Sequence, residues 1–346
     1  MRHLFSFIAA AVLGFGSVSA AAQTQLKIAT LAPQNSGWAT AFTAGAKEIE
    51  ERTDGRVRLK FFWGGAQGTE SKVLQKIRIG QLAGGTFSPT DFQEPYPDLN
   101  IYGLPFFFQS PEEIDYVRER VDSTLTDGLK ELGYATYGFA GGGFAHILSN
   151  EPVRGLDDLR GKKVWLPEGD QISYEAMRSL QLSPVPLPVT DVLTGLQTGL
   201  IDIVAIPPVV ALALQWHTKV RYFTRIPVLY PMAFLAISER SLRRVSDADR
   251  AVIDEVMQGV YADVDQGSWD ESDNAVAALL SVGIEEVQAA DGETDRIRAA
   301  MAVTNVEMAD RGLFSRELLD EIQGYIDEYR SSASGDVAPA ASGSAE

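Results

Sequence analysis

Residues 46–62 read AKEIEERTDGRVRLKFF, and a helix ends and a strand begins inside them. Trp38, Phe42, Ala46 and Ile49 recur at helical spacing, which predicts one buried helix face. Ser36 stands where a cap is expected, and Gly55 stops the helix. Val57–Phe62 then alternates apolar and polar, the period of a strand with one side buried. Upstream, Leu26–Thr30 reads as a first strand. Downstream, Glu70–Ile79 reads as a second helix with Val73, Leu74 and Ile77 on one face. The opening order β-α-β-α argues for α/β layers with a largely parallel sheet.

The remaining pattern continues this alternation. Pro111 opens a helix with Ile114 and Val117 inward, and Tyr134–Phe139 reads as a strand running into Gly141-Gly-Gly143. Those glycines suit a crossover or a close backbone approach, but no Walker lysine follows them. The stretch 161–167, GKKVWLP, reads as a strand, 171–180 as a helix, 189–198 as a helix closed by Gly199, and 200–206 as a buried strand broken at Pro207-Pro208. A strand is expected at 232–238. Ser246-Asp-Ala-Asp249 is a capping pattern before a long helix to about Leu280, and helices follow at 294–311 and 315–329. Residues 331–346 are small, polar and of low complexity, which predicts disorder.

The chain has 346 residues with 45% hydrophobic and 22% charged content, ordinary for a globular protein of about two domains. Its formal net charge of −17 repels nucleic acid and anionic lipid, so neither is an expected partner. Residues 1–22 combine Arg2, an apolar run from Leu4 to Val18 and small residues at the end, the pattern of a cleavable secretory signal. The run is shorter than the ~20 residues a membrane span needs, so no direct membrane insertion is expected. The absence of cysteine excludes disulfides, a thiolate metal site, a cysteine nucleophile and a lipid-anchoring cysteine. A soluble periplasmic location follows. Only His3, His146 and His217 are present, and no metalloprotease, EF-hand or nucleophile-elbow motif occurs. No enzyme, metal or cofactor is expected.

Five stretches in order, AKEIEERTDGRVRLKFF, LPFFF, LSNEPVRGLDDLRGKKVWLP, VPLPVTDVLTGLQTGLID and SERSLRRVSDADRAVIDEV, make residues 25–330 resemble the DctP-type solute-binding proteins of tripartite ATP-independent periplasmic (TRAP) transporters. The resemblance implies a two-lobe fold crossed near Gly143 and Pro231, with the long helix spanning both lobes. It places lobe I at 23–143 and 232–272 and lobe II at 144–231 and 273–330. It also implies a small-molecule ligand held in the interlobe cleft and delivered to an ion-gradient-driven TRAP permease.

The resemblance departs at the site. Family members carry an arginine, which grips a ligand carboxylate, where this chain has Trp165. Ala145, Ile206, Leu31 and the pair Phe87-Ser88 likewise stand at positions that are polar elsewhere in the family. The cleft implied by this alignment is lined by Trp165, Phe144, Ala145, Ile206, Phe87, Ser88, Leu31, Trp38, Glu70, Val189 and Pro207. Residue type alone leaves Trp165 open between core and ligand site. An unpaired buried carboxylate is unfavourable by several kcal/mol, so the expected ligand is apolar, aromatic or amphipathic. The alternatives are an ordinary organic-acid receptor using Arg160, Lys163 or Arg178, and an exported sensor or lipid-handling protein.

Overall fold

The computed structural model describes residues 23–335. The signal expected at 1–22 and the tail from 336 onward lie outside the described residues. Two six-stranded sheets carry the chain. The first contains β1 (Thr24–Ala29), β2 (Val57–Phe62), β3 (Gly84–Phe87), β4 (Tyr134–Ala135), β5 (Ala140–Gly141) and a late return strand, β11 (Met232–Ser238). The second contains β6 (Ala145–Ser149), β7 (Lys163–Pro167), β8 (Ser183–Leu187), β9 (Ile203–Ile206), β10 (Tyr222–Leu229) and β12 (Glu285–Val287), in the order β12-β10-β6-β9-β7-β8. The helices are α1 (Gly37–Arg52), α2 (Glu70–Arg78), α3 (Pro111–Glu131), α4 (Leu156–Leu159), α5 (Gln171–Ser179), α6 (Val192–Thr198), α7 (Pro208–Ala213), α8 (Glu239–Leu242), α9 (Asp247–Gln266), α10 (Ser268–Ser281), α11 (Glu293–Asp310) and α12 (Arg316–Gly335).

The helix–strand boundary in the opening quotation follows local chemistry. Ser36 Oγ accepts from Ala39 N at 3.2 Å and caps α1. Asp54 and Gly55 take positive φ and turn the chain out of it. In β1, Leu26 and Ile28 are buried beneath α1, which also packs on α9. The sheets are mixed rather than largely parallel. β1 runs parallel to β2 and β3, but β11 is antiparallel to β3, and β6 is antiparallel to both β9 and β10. The reason is connectivity: β11 re-enters the first sheet from the second, and a chain coming back pairs against the strands that left.

Three expectations change. The strand expected at 134–139 is two short pieces, β4 and β5. The long helix to 280 is two helices, α9 and α10, meeting at Gly267, whose N–H still bonds Asp263 O at 3.1 Å. Residues 331–335, expected to be disordered, continue α12. In addition, α12, expected with lobe II, packs on α3 beside the first sheet, with Leu319, Ile322 and Ile326 in that core. Its apolar stripe finds the unfilled side of α3 there.

The chain passes between the sheets at residues 142–144 and back at Tyr230–Pro231. A Cβ on Gly141 would sit 2.4 Å from Tyr230 Oη, and one on Gly143 (φ 82°) 2.4 Å from Ser272 Oγ. The first crossing therefore runs too close to the second at Gly141, and to α10 at Gly143, for any side chain at those positions. Arg118 of α3, 8% exposed, ties them together. Its Nη1 reaches both Asp265 oxygens at 2.8 and 2.7 Å and Tyr230 Oη at 3.4 Å, while Nη2 donates to Phe139 O at 2.8 Å and to Asp122 at 3.1 Å. Replacing Arg118 with alanine strands two carboxylates in a desolvated node. Urea unfolding should show a loss of about 3–5 kcal/mol, the scale for breaking one side of a buried ion pair. Arg118→Lys should recover only part of it, because one ammonium cannot span these acceptors.

Candidate functional site

The second sheet has two apolar faces because β7 alternates. Val164 joins Ile147, Ile203, Ala176 and Met301 on the side covered by α5 and α11. Trp165 joins Leu148, Val192, Val204 and Trp216 on the other. Between the first face and its helices lies a cavity of about 180 Å³ that opens toward the crossings. A dry cavity of about 150 Å³ accepts a benzene ring, so a ring-sized group fits here. The walls are Val164, Leu166 and Ile203 from the sheet, Ile172, Ala176 and Met177 from α5, Ile297 and Met301 from α11, and Tyr230 and Pro231 from the return crossing. Ser88, Thr90, Asn100 and Tyr102 close it from the first-sheet side.

Phe106 belongs to the loop after residue 103 but lies in the second sheet's core. Its N–H donates to Val228 O at 2.6 Å, and its φ of 57° is a conformation few non-glycine residues take. It thus carries a first-sheet loop across to the cavity wall, and strain at such a point fits a clamp.

Of the expected site residues, Ser88, Trp165 and Ile206 line this cavity. Trp165 is also core. It is 3% exposed, its indole N–H donates to Leu187 O at 3.0 Å, and its ring meets Trp216 edge-on at 5.1 Å. Leu31 and Glu70 border a separate void of about 10 Å³ beside Gly65 and Thr86. Phe87 is enclosed by Phe92 and Phe234. Phe144 packs on Tyr230 and Trp269 behind the crossing. Ala145 is fully buried opposite Leu229. Trp38 leans on Phe42 and Tyr261, Val189 on the core around Trp165, and Pro207 opens α7 against Gly142. The helix faces that build most of the wall, on α5 and α11, were absent from the expected site. The apolar spacing Ile172–Ala176 was their visible signal.

The charges are placed unusually. None of the cavity's lining residues is Lys, Arg or His, and Asp170 is the sole carboxylate among them. Arg160, Lys163 and Arg178 are exposed and lie outside the lining. Arg160 pairs with Asp157, Lys163 contacts Asp202 and Gly199 O, and Arg178 lies over the Tyr174 ring. Behind Ser88 sits a second acidic element. Asp91 Oδ2 accepts from Ser88 N at 2.9 Å and Ser88 Oγ at 3.0 Å. Burial pushes the Asp91 carboxyl up to about 7, the Glu70 carboxylate adds to the rise, and the Ser88 bonds oppose it. Glu70 is raised as well, by burial. No group of acidic or histidine side chains suited to a metal ion occurs among the described residues.

A family model described as "Bacterial extracellular solute-binding protein, family 7" (DctP) matches residues 28–311. The chain belongs to the DctP family. DctP proteins of TRAP transporters are periplasmic solute receptors, not enzymes. A solute-binding protein of Verminephrobacter eiseniae (strain EF01-2) is 26% identical over 309 residues, 88% of this chain and 90% of that one. Two solved structures share the two-lobe fold. One is a sugar acid binding protein of Advenella mimigardefordensis strain DPN7T in complex with galactonate, with TM-score 0.82 and 18% identity over 89% of this chain and 99% of that chain. The other is a TRAP periplasmic solute binding protein of Haemophilus influenzae RdAW with bound L-gulonate, with TM-score 0.81 and 16% identity over 88% of this chain and 100% of that chain. Among the described residues of this DctP protein, no helix is long and apolar enough to cross a membrane.

The Glu70–Asp91 pair makes a pH prediction. The folded-state carboxyl of Asp91 lies above its unfolded value, so the native state holds an extra proton between about pH 4 and 7. The contribution of Asp91 to stability therefore falls as pH rises through that window. Asp91→Asn should flatten the fall. In urea titrations at pH 4 and pH 8, the variant's advantage should grow by roughly 1–3 kcal/mol, below the full shift because the site is only partly buried.

Proposed function

We propose that this receptor binds an uncharged or amphipathic, ring-sized molecule in the cavity beneath α5, and delivers it to a TRAP permease after export to the periplasm. The observation that carries the reading is the cation-free lining of that cavity. A sugar acid seated there would bury its carboxylate with no guanidinium or ammonium to meet it, a penalty of several kcal/mol. Apolar surface gains roughly 25 cal/mol per Å² on entering the same walls. The sugar acids named for the two solved relatives belong to those proteins, and this chain's departures from what the resemblance implies, an arginine at the position of Trp165 and a polar residue at that of Ile206, support a different ligand class here. Of the expected contacts, Ser88, Trp165 and Ile206 are assigned to the ligand, joined by Met177, Tyr230 and Met301. The lobes close on the ligand through the crossings at 142–144 and Tyr230–Pro231, and the closed form is what the permease recognises.

Calorimetry against galactonate, L-gulonate, succinate and a set of single-ring compounds tests the ligand class. The acids should give no measurable heat, and at least one ring compound should bind in the micromolar range. Ile206→Arg should reverse the order, weakening the ring compound by tenfold or more and admitting a carboxylate. Micromolar binding of a sugar acid to the unaltered protein would overturn the reading. Export is tested separately: fractionation with N-terminal sequencing should recover a periplasmic chain beginning near residues 21–23, and a retained Met1 would count against it.

A further inference from the structure

We propose that Asp170 is the polar anchor of this cavity and selects ligands that present an ammonium or hydroxyl donor on an apolar body lying along α5. The proposal rests on the reading of the cavity as cation-free.

The geometry is that of one helix face. Asp170 caps α5, and Ser173, Ala176, Met177 and Leu180 follow it at helical spacing into the same cavity. From the cap to Leu180 is ten residues, about 15 Å along the axis. Polarity is confined to the start of that line, and the rest is methyl, thioether and leucine surface. A ligand that matches it has one polar end and an elongated apolar remainder.

The other polar side chains in the lining are turned to protein partners. Tyr102 donates to Asp122 at 2.8 Å, Tyr230 receives Arg118, and Asn100 donates to Pro97 O at 3.1 Å. Ser88 serves Asp91. Asp170 too is bonded, accepting from Ser173 N at 2.9 Å and from the Ser173 hydroxyl and the Ile172 N–H, but it is the cavity's one carboxylate and has no salt bridge among the described residues. Arg311, which shares an outer groove with Asp170, is held by Glu175 at 2.7 Å. A carboxylate 9% exposed and without a cation gains from any partner that brings a donated hydrogen, and most from one that brings charge. Burial holds this carboxyl above the usual range against the pull of the Ser173 and Ile172 bonds, so what the site lacks is a counter-charge rather than a hydrogen bond. An anionic head placed beside it would meet like charge in a desolvated site.

The test uses three probes that share a phenyl ring on a two-carbon arm: 2-phenylethylamine, 2-phenylethanol and 3-phenylpropionate. Calorimetry on the full mature chain should rank them amine, alcohol, acid, with the acid at least a hundredfold weaker than the amine. Asp170→Asn keeps the helix cap, since asparagine caps as well as aspartate, and removes the charge. It should weaken the amine tenfold or more, change the alcohol by less than threefold and leave the acid no weaker. Met177→Phe, at the apolar end, should weaken amine and alcohol by a similar factor and preserve their order. Equal loss of amine and alcohol in Asp170→Asn, or an unchanged amine, would overturn the anchor role. If the alcohol binds and the amine does not, the anchor falls while the cation-free cavity stands. If the acid binds the unaltered protein as well as the amine, the cavity reading itself falls. Failure of all three to bind would overturn the proposed ligand class.

Discussion

One buried guanidinium holds the two halves of this receptor in register. Arg118 gathers Asp265 at the end of α9, the carbonyl of Phe139 just before the first crossing and the hydroxyl of Tyr230 on the second. A hinge needs two connections that bend without drifting apart. Glycines at 141 and 143 let the two strands come within contact of Tyr230 and Ser272, and Arg118 supplies the fixed point about which they sit. Tyr230 also lines the ligand cavity and stacks on Trp269 at 5.4 Å. Occupancy of the cavity and the geometry of the hinge therefore share a side chain.

The cavity owes its character to the alternation of one strand. β7 sends Val164 and Leu166 toward α5 and Trp165 toward Trp216, so the large aromatic packs mainly in the opposite core. What reaches the ligand side is aliphatic. No cation stands in the cavity's lining, and the indole of Trp165 only borders it. Phe106 seals the first-sheet side by crossing to Val228 in a strained conformation, which is affordable because its ring gains a buried seat in the second core.

Much of the architecture was legible. Ser36, Gly55 and the alternation of Val57–Phe62 place the first helix and strand correctly, because caps and periodicity act over a few residues. The same local rules missed β8, whose Pro184 and Pro186 disguise a strand, and read 134–139 as one strand where the chain makes two short ones, β4 and β5. At the site, Ser88, Trp165 and Ile206 could be named from alignment with the family. Phe87, Phe144 and Ala145 were named on the same resemblance, yet lie in closed cores, where a one-residue step along a strand changes the face a side chain meets.

Periodicity and caps determined the α/β class, and five stretches in order, matched by a family model over residues 28–311, determined the family of solute receptors. The resemblance also implied a site without its usual arginine, since the tryptophan in GKKVWLP needs no coordinates to notice. Which face of β7 bounds the cavity, how α5 and α11 complete its wall, and that Asp170 is left without a counter-charge were decided only in three dimensions. Those outcomes depend on contacts between segments as far apart as residues 106, 177 and 301, and no local spacing rule carries information over that distance.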